Sequence, residues 1–249
     1  MKIIGLNQNI IWKNITANKQ LIVDLLKNQE ADVFLLPEMF TTGFCMDAEE
    51  IADPNEETLQ WMKALAKEKN AAIGGSISVK EHGKFFNRFY FVLPNGTHEQ
   101  YDKRHLFSYS GEDKIYTKGN ERVIVHCKGF RVLLQTCYDL RFPVFMRNKG
   151  DYDAVFFVAN WPETRIEAWK TLLKARAIEN QCFVFGVNRI GTDGNNLNYP
   201  ESSYSFFADG REISEVKESI VTSVWNLEEL NLYREKFPFL KDQDCDEAM

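Results

Sequence analysis

The sequence predicts an α/β protein in which mixed sheets pack between layers of helices. Short apolar runs, typical of buried strands, alternate along the chain with amphipathic stretches that are typical of helices. Some of the strands are separated by short turns such as the one at 94–96, which favours hairpins over a purely parallel barrel. We see no linker, repeat or low-complexity tract in the 249 residues, so we expect one domain over 1–249.

The individual elements follow from the spacing of apolar residues. Runs rich in β-branched and aromatic residues predict strands at 3–9, 33–36, 72–79, 88–93, 123–126, 132–136, 154–158, 183–187, 203–207 and 219–224. Amphipathic stretches predict helices over 17–29, 57–70, 142–149, 165–180 and 227–236. In the fourth of these helices, Ile166, Trp169, Leu173 and Ala177 fall on one helical face.

Composition and charge argue against several classes of protein. The net charge of −6 disfavours binding to nucleic acid or to an anionic membrane, since both need a basic surface. No apolar run approaches the roughly 20 residues of a membrane span. The first residues, 1–7, turn polar too early for a signal peptide. Because 44% of the residues are hydrophobic, we expect a large packed core. The unpaired cysteines described next indicate reduced thiols, and therefore a cytoplasmic protein.

The cysteine pattern predicts reduced thiols. The count of five is odd, and no CxxC pair or finger-like histidine spacing is present, which argues against a disulfide scaffold or a zinc site. Cys127 and Cys182 lie in apolar strand patterns, so we expect them to be buried and inert. Cys45 follows a strand in a loop and is ambiguous, whereas Cys245 lies in an acidic tail that we expect to be mobile from about residue 240 to 249.

The most informative thiol is Cys137, which lies at the end of a predicted strand. The apolar run at 132–134 leads to this cysteine, and after a polar turn Pro143 follows, a residue suited to the first turn of a helix. We therefore expect Cys137 at a strand-to-helix elbow, where a nucleophile is exposed and held still. A free cysteine with a pKa of about 8.5 is mostly thiol at neutral pH, so it needs a base and a charge stabiliser.

Two glutamates and one lysine are candidates for those roles. Glu38 follows the predicted strand at 33–36 between apolar neighbours, which raise the pKa of a carboxyl group toward that of a general base. Lys103 lies in a basic cluster after the strand-like run at 97–101, and a desolvated ammonium group stabilises an oxyanion. Glu112 lies in a turn. Taken singly, each of these residues also fits an ordinary capping or solvated role.

Taken together and in this order, the glutamate, lysine and cysteine motifs resemble the nitrilase superfamily of carbon–nitrogen hydrolases. The resemblance runs from LNQ (6–8) to YREKFP (233–238), and its motifs are LPEMF (36–40), YDKRHLF (101–107), CYDLRFP (137–143), VANWP (158–162) and ARAIEN (175–180). The segments EMFTTGF, KRHLF and ANWP are most similar to bacterial omega-amidases, which hydrolyse the side-chain amides of 2-oxo acids such as 2-oxoglutaramate and 2-oxosuccinamate. The resemblance implies a four-layer αββα sandwich that forms a homodimer through its helices and needs no metal or organic cofactor.

The resemblance also implies a role for each motif residue. Cys137 is expected to attack the amide carbon and form a thioester, and Glu38 to take the thiol proton and later activate water. Lys103, helped by the backbone N–H of Tyr138, is expected to stabilise the oxyanion. Glu112 resembles a second family carboxylate that orients the lysine. Such a site carries about one net negative charge, so its pKa values belong to the whole group.

An omega-amidase also has to bind the 2-oxo carboxylate away from the scissile amide. A cation or backbone N–H groups are expected at that position. Arg141 is close in sequence to the cysteine, although an ion pair with Asp139 or with a helix carboxylate also accounts for it. Arg104 and Arg165 are further candidates, and the sequence leaves the choice open.

Aromatic residues beside the motifs are candidates for the walls of the pocket. Trp161 follows the end of a predicted strand, and we expect it either to line the pocket or to pack in the core. Phe44 and Phe107 follow motif residues and are expected to narrow the site.

Several alternatives stay open at this level. The same chemistry serves an N-carbamoyl hydrolase, an aliphatic amidase or a true nitrilase, and selective turnover of 2-oxo acid amides distinguishes the omega-amidase. A non-catalytic binding protein on this fold is opposed by the presence of Glu38, Lys103 and Cys137. A Cys–His peptidase would need a histidine base, and His105 is the only histidine inside a motif. The apolar segment at 236–240 is a candidate for a dimer contact.

Overall fold

The computed structural model describes residues 1–244, which form a mixed α/β protein. The helices are α1 (Ile15–Leu26), α2 (Ala48–Ile51), α3 (Glu57–Lys69), α4 (Glu112–Ile115), α5 (Pro143–Met146), α6 (Ile166–Glu179) and α7 (Leu227–Lys236). The strands are β1 (Lys2–Leu6), β2 (Val33–Leu35), β3 (Ala72–Glu81), β4 (Lys84–Val92), β5 (His98–Asp102), β6 (Ile124–Cys127), β7 (Phe130–Thr136), β8 (Ala154–Ala159), β9 (Phe183–Asn188), β10 (Gly191–Thr192), β11 (Asn198–Tyr199), β12 (Tyr204–Phe206), β13 (Glu215–Lys217) and β14 (Ile220–Val224). Within this range, no helix has the length and apolarity that a membrane span requires.

Most of the strands belong to two large mixed sheets. In the described residues, the first sheet has the order β13-β14-β1-β2-β3-β4-β5, the second has the order β12-β9-β8-β7-β6, and β10 and β11 form a separate pair. Strands β1, β2 and β3 are parallel, as are β7, β8 and β9, and the outer strands are antiparallel to their neighbours. The parallel strands of a sheet end at the same edge, where open α/β sheets bind ligands.

Alternate residues of each strand face different layers, as the strand period of two requires. Along β8, Ala154, Phe156 and Val158 pack into the core between the two sheets. The intervening Val155 and Phe157 pack on the opposite face, which helix α6 covers. Because both faces are buried, β8 is apolar at every position, and this is why its sequence shows no alternation.

The first sheet is covered by helices in the same way. Val33 of β2 faces the core between the sheets, whereas Phe34 packs outward against Ile22 of α1 and Leu59 of α3. The layers therefore run helix, sheet, sheet, helix. This arrangement confirms the predicted four-layer αββα sandwich.

Every predicted strand and helix has a counterpart in residues 1–244, but the helix predicted over 142–149 is too long. The helix α5 starts at Pro143 as predicted and ends at Met146. The following turn is fixed by tertiary hydrogen bonds, because Asn148 Nδ2 donates to the backbone oxygens of Tyr152 and Asn180 at 3.1 and 2.9 Å. Local periodicity does not report such long-range bonds. The short elements α2, α4, β10, β11 and β13 carry too few residues for a periodic signal.

The described cysteines are free thiols, and the two that were predicted to be buried are buried. Cys127 and Cys182 are buried free thiols. Burial raises the pKa of Cys127 to about 11 and that of Cys182 further, which keeps both protonated. Cys45 is also buried, and like Cys137 it lines the pocket described below. Cys245 lies outside the described residues.

The start of the predicted mobile tail has local structure. Phe239–Asp242 forms a 3-10 turn, and the backbone N–H of Leu240 donates to Oε1 of Gln181 at 3.3 Å. Phe237 and Phe239 contact each other with ring centroids 5.7 Å apart. The remainder of that tail, 245–249, lies outside the described residues.

Candidate active site

The motif residues meet at the ends of strands from both sheets. Glu38 follows β2 after a short turn, Lys103 directly follows β5, and Cys137 directly follows β7. All three side chains are nearly or fully buried. The sandwich therefore brings together residues that are far apart in the chain, and the two sheets contribute different members of the site.

A single ammonium group is shared by two buried carboxylates. Lys103 Nζ lies 2.8 Å from Oε1 of Glu38, and 3.0 and 2.9 Å from the two carboxylate oxygens of Glu112. The side chain of Glu112 is also fixed by the backbone N–H of Phe107, which donates to its Oε2 at 2.6 Å. The loop between β5 and α4 therefore orients the lysine against both acids.

Two asparagines that the sequence analysis did not assign complete this cluster. Asn87 Nδ2 donates to Oε1 of Glu38 at 2.7 Å and to Oε1 of Glu112 at 3.1 Å. The backbone N–H of Asn160 donates to Oε2 of Glu38 at 2.9 Å. The side-chain amide of Asn160 donates to the backbone oxygen of Glu38. A usable signal existed for Asn87, because an asparagine inside an apolar strand is buried only when its polar atoms are paired.

Burial and the shared charges shift the pKa values of the cluster. Burial lowers the pKa of Lys103, but the negative charges of Glu112 and Glu38 outweigh it and hold this pKa above its ordinary value. Burial raises the pKa of Glu112 above its ordinary range, and the charge of Glu38 adds to that rise while Lys103 opposes it. The lysine therefore stays charged beside the two acids.

The thiol of Cys137 is held in its protonated form. Burial raises its pKa well above the ordinary value, the negative charge of Glu38 raises it further, and the positive charge of Lys103 acts in the opposite direction. Its Sγ lies 3.9 Å from the backbone oxygen of Asn160. A thiol in this state becomes a nucleophile only when a neighbouring base accepts its proton.

The elbow that carries Cys137 is strained and is held by a buried aspartate. Cys137 has a φ of 47°, in the left-handed region that non-glycine residues rarely adopt. It opens a 3-10 turn, Cys137–Arg141, in which Oδ2 of Asp139 accepts from the backbone N–H of Thr136 at 3.0 Å. The expected elbow is present, although a 3-10 turn rather than the helix at Pro143 directly follows the cysteine.

The same aspartate ties the elbow to the segment that carries Lys103. Oδ2 of Asp139 also accepts from the hydroxyl of Tyr101 at 2.7 Å, and Oδ1 accepts from the backbone N–H of His105 at 2.8 Å. Nδ1 of His105 lies 2.8 Å from Oδ1 as well. His105 therefore supports the elbow from behind, and it does not line the pocket around the thiol.

A pocket of about 400 Å³ opens in front of the thiol. All of the substrate-binding candidates from the sequence except Arg104 line it, together with residues that were not anticipated. The lining includes Cys137, Tyr138, Arg141, Trp161 and Phe107 from the predicted set, Phe44 and Arg165 from the wider set of candidates, and Trp12, Cys45, Asp193 and Tyr199 as additions. Asp193 and Tyr199 come from the segment around β10 and β11, whose strands are too short to predict.

Two arginines line this pocket without an anionic partner. The guanidinium of Arg141 lies 5.0 Å from the ring centroid of Trp161, and that of Arg165 lies 5.1 Å from the ring centroid of Phe107. Among residues 1–244, neither guanidinium group has a hydrogen-bond or ion-pair partner. Asp139, considered above as a partner for Arg141, is occupied by other donors.

The remaining candidates have structural contacts. Arg104 donates to the backbone oxygen of Gly119 and to Oδ1 of Asn120, at 3.3 and 2.6 Å, and does not line the pocket. Trp161 combines the two roles that the sequence left open, because it lines the pocket and also packs on Trp169 with ring centroids 5.3 Å apart.

The central position of Asp139 gives a testable prediction. In Asp139→Asn an amide NH₂ faces groups that are themselves donors, so we expect a loss of about 2–4 kcal/mol in the free energy of unfolding, measured by urea denaturation. Alkylation of Cys137 by iodoacetamide should slow as the elbow loosens. Asp113→Asn, an exposed change on α4, is the control and should stay within about 0.5 kcal/mol of wild type. Equal stability of the two variants would contradict this account of the elbow.

Comparison with known proteins places the chain in a family. The profile described as "Carbon-nitrogen hydrolase" matches residues 3–232. A relative from Yersinia enterocolitica, named omega-amidase YafV, is 44% identical over 98% of this chain and 97% of its own length. A 2-oxoglutaramate amidase from Bacillus subtilis is 34% identical over 87% of this chain and 86% of its own length.

A solved structure agrees with the sequence relatives. The protein XC1258 from Xanthomonas campestris, described as a CN-hydrolase superfamily protein, superposes with a TM-score of 0.95 at 40% identity, over 98% of this chain and 97% of that one. The profile, the relatives and the shared architecture all cover nearly the whole chain. The chain therefore belongs to the carbon–nitrogen hydrolase family, as its motifs predicted.

Proposed function

We propose that this protein is an omega-amidase that hydrolyses the terminal amide of 2-oxo dicarboxylic acid monoamides, such as 2-oxoglutaramate and 2-oxosuccinamate. The observation that carries this proposal is the pair of unpartnered arginines, Arg141 and Arg165, beside Cys137 in one pocket. A substrate with a carboxylate at one end and an amide at the other fits such a pocket. The names of the relatives in Yersinia and Bacillus point to the same class of substrate.

In the proposed mechanism the thiol of Cys137 is the nucleophile and Glu38 is the general base. Glu38 takes the thiol proton as sulfur attacks the amide carbon, so the base is protonated when the tetrahedral intermediate forms. Collapse of that intermediate breaks the C–N bond, and the proton on Glu38 goes to the departing ammonia. The acyl group stays on sulfur as a thioester.

In the second half of the proposed reaction, water hydrolyses the thioester, and Glu38 again acts first as a base and then as an acid. Glu38 takes a proton from water as the water oxygen attacks the thioester carbon, and it returns that proton to sulfur when the C–S bond breaks. The products are the 2-oxo acid and the free thiol. One amide and one water thus give one carboxylic acid and one ammonia, with no metal or cofactor required.

Lys103 and Glu112 have electrostatic roles in this proposal. The positive charge of Lys103, which opposes the pKa rise of Cys137, also stabilises the oxyanion of each tetrahedral intermediate, and the backbone N–H of Tyr138 is the proposed second donor. Glu112 holds the ammonium group through both of its oxygens. Fixed charges of this kind act at full strength in a buried site because no solvent has to reorganise.

The two arginines are proposed to bind the substrate carboxylate. Each guanidinium is backed by an aromatic ring, Trp161 for Arg141 and Phe107 for Arg165. Since neither has an anionic partner within residues 1–244, each can donate two hydrogen bonds to a carboxylate. Phe107 and Trp161 then form apolar walls for the carbon chain between the carboxylate and the amide.

The first prediction concerns the reaction itself. Wild-type protein should release ammonia from 2-oxoglutaramate and 2-oxosuccinamate far faster than from simple aliphatic amides, and Cys137→Ala should reduce that release by at least about 10⁴-fold, as loss of a nucleophile does. Cys182→Ala, at a buried thiol outside the pocket, is the matched control and should retain activity. If ammonia is released only from nitriles, carbamoyl compounds or neutral amides, the protein is not an omega-amidase and belongs to the corresponding other substrate class.

A second prediction concerns the carboxylate site. Arg141→Met and Arg165→Met each remove a charge-assisted contact, so KM for 2-oxoglutaramate should rise about 10- to 100-fold. The kcat/KM for a neutral aliphatic amide should change little. Arg104→Met, at the arginine that does not line the pocket, should leave both substrates unaffected. If neither pocket variant alters KM for the anionic substrate, the carboxylate is held elsewhere.

We also propose that the chain is a single domain that acts as a homodimer in the cytoplasm, with no nucleic-acid or membrane partner. Reduced thiols and a net charge of −6 support the compartment and the lack of anionic partners. Leu232 of α7 and Phe239 expose 59% and 60% of their surface, which favours a contact between chains at this end.

The proposed homodimer gives a direct prediction. Light scattering should give the mass of two chains for wild type, and Phe239→Ser should weaken the association, because it removes an exposed apolar contact. Val216→Ser, at an exposed apolar residue of β13, is the control and should leave the mass unchanged. A monomeric wild-type protein would overturn the homodimer.

A further inference from the structure

We infer that Asn87 is a positioning residue of the reaction, which aligns the carboxyl groups of Glu38 and Glu112 around Lys103 through two donated hydrogen bonds. The inference rests on the proposed function, because it assumes that these groups act in amide hydrolysis. Asn87 does not line the pocket, and its side chain donates to the two glutamates, so its effect on the reaction passes through them.

Asn87 contacts every charged member of the cluster. It lies on β4, fully buried, and its backbone oxygen accepts from the backbone N–H of Lys103 at 3.0 Å. Its Nδ2 donates to the same carboxylate oxygens, Oε1 of Glu38 and Oε1 of Glu112, that Lys103 Nζ also contacts. The two carboxylate oxygens are therefore acceptors shared by two donors, the amide of Asn87 and the ammonium group of Lys103.

The charge count explains what the amide contributes. Glu38 and Glu112 bring two negative charges when both are ionised, and Lys103 supplies one positive charge, so the buried cluster has an excess of negative charge. A neutral N–H donor stabilises a carboxylate without changing the net charge. Asn87 supplies one such donor to each acid, and therefore stabilises negative charge on either carboxylate.

The orientation of the amide supports a donor role. Oδ1 of Asn87 is buried and has no hydrogen-bond partner in the described part of the chain. The reversed amide would place this oxygen 2.7 and 3.1 Å from two carboxylate oxygens, where it would be repelled. The side chain thus uses both of its N–H groups on the carboxylates and leaves its acceptor unused, which is the pattern expected of a group placed there to donate.

The test compares pH profiles of Asn87→Val with those of wild type. Valine fits a buried strand and removes both donors, so each carboxylate loses one hydrogen bond that favours its ionised form. The acid limb of kcat/KM for ammonia release from 2-oxoglutaramate should move to higher pH by about one unit. On the acid side this corresponds to a roughly tenfold lower kcat/KM. Asn87→Ser, which is smaller, provides the same comparison if the valine variant does not fold.

The control is Ser78→Ala, at the residue that pairs with Asn87 across the β3–β4 hairpin. Ser78 accepts from the hydroxyl of Tyr116, and within residues 1–244 no hydrogen bond joins its side chain to Glu38, Glu112 or Lys103, so its loss should affect stability while leaving the hydrogen bonds of the carboxylates in place. We expect its acid limb to coincide with that of wild type. If the Asn87 variants lose activity equally at all pH values, with an unmoved acid limb, the residue is merely structural and the inference is wrong.

A second readout separates this inference from the proposed function. The rate of alkylation of Cys137 by iodoacetamide, followed against pH by mass spectrometry, needs no substrate, and its acid limb should move in the same direction in Asn87→Val. If wild type releases no ammonia from any 2-oxo acid amide but the alkylation limb still moves, the substrate proposal fails and the role of Asn87 stands. If ammonia is released from the 2-oxo acid amides and neither acid limb moves, the substrate proposal stands and the proposed role of Asn87 fails.

Discussion

The rest of the site depends on one buried lysine that is shared by two buried carboxylates. Removing one partner from such a cluster leaves an uncompensated charge away from water, which costs about 3–5 kcal/mol. The two glutamates hold the pKa of Lys103 high, so its charge is permanent, whereas burial and Glu38 hold the pKa of Cys137 high, so its proton stays until a base takes it. The cluster therefore fixes the resting protonation of the proposed nucleophile.

The sandwich provides the geometry that this cluster needs. Glu38 and Lys103 come from strand ends of the first sheet, and Cys137 and Asn160 come from strand ends of the second. Asn160 links the parts of the site that the two sheets contribute, because its backbone N–H donates to Glu38 and its backbone oxygen lies 3.9 Å from Sγ of Cys137. A shift of one residue in either sheet would turn alternate side chains to the opposite face, so the register of the core and the alignment of the site are specified together.

The sequence predicted the sandwich and the charged residues, but not the neutral groups that connect them. Glu38, Lys103 and Cys137 were recognisable because each follows a strand inside a distinctive motif. Asn87 lies within a strand, and its side chain pairs with Glu38 and Glu112, which are 49 and 25 residues away in the sequence. A periodic pattern contains no information on such pairing. Asp193 directly follows β10 and Tyr199 lies in β11, and these strands of two residues each are too short to detect. Arg141 and Arg165 were among the candidates, but only the structure separates them from Arg104.

The most direct test of the central claim is to trap the covalent intermediate. Protein mixed with 2-oxoglutaramate and quenched in acid within milliseconds should carry, on the peptide that contains Cys137, an added mass equal to the substrate minus ammonia. The adduct should be absent from the peptide that contains Cys45, the other thiol of the pocket. An adduct on Cys45, or rapid ammonia release with no acyl group on any cysteine, would contradict the assignment of Cys137 and Glu38 as nucleophile and base.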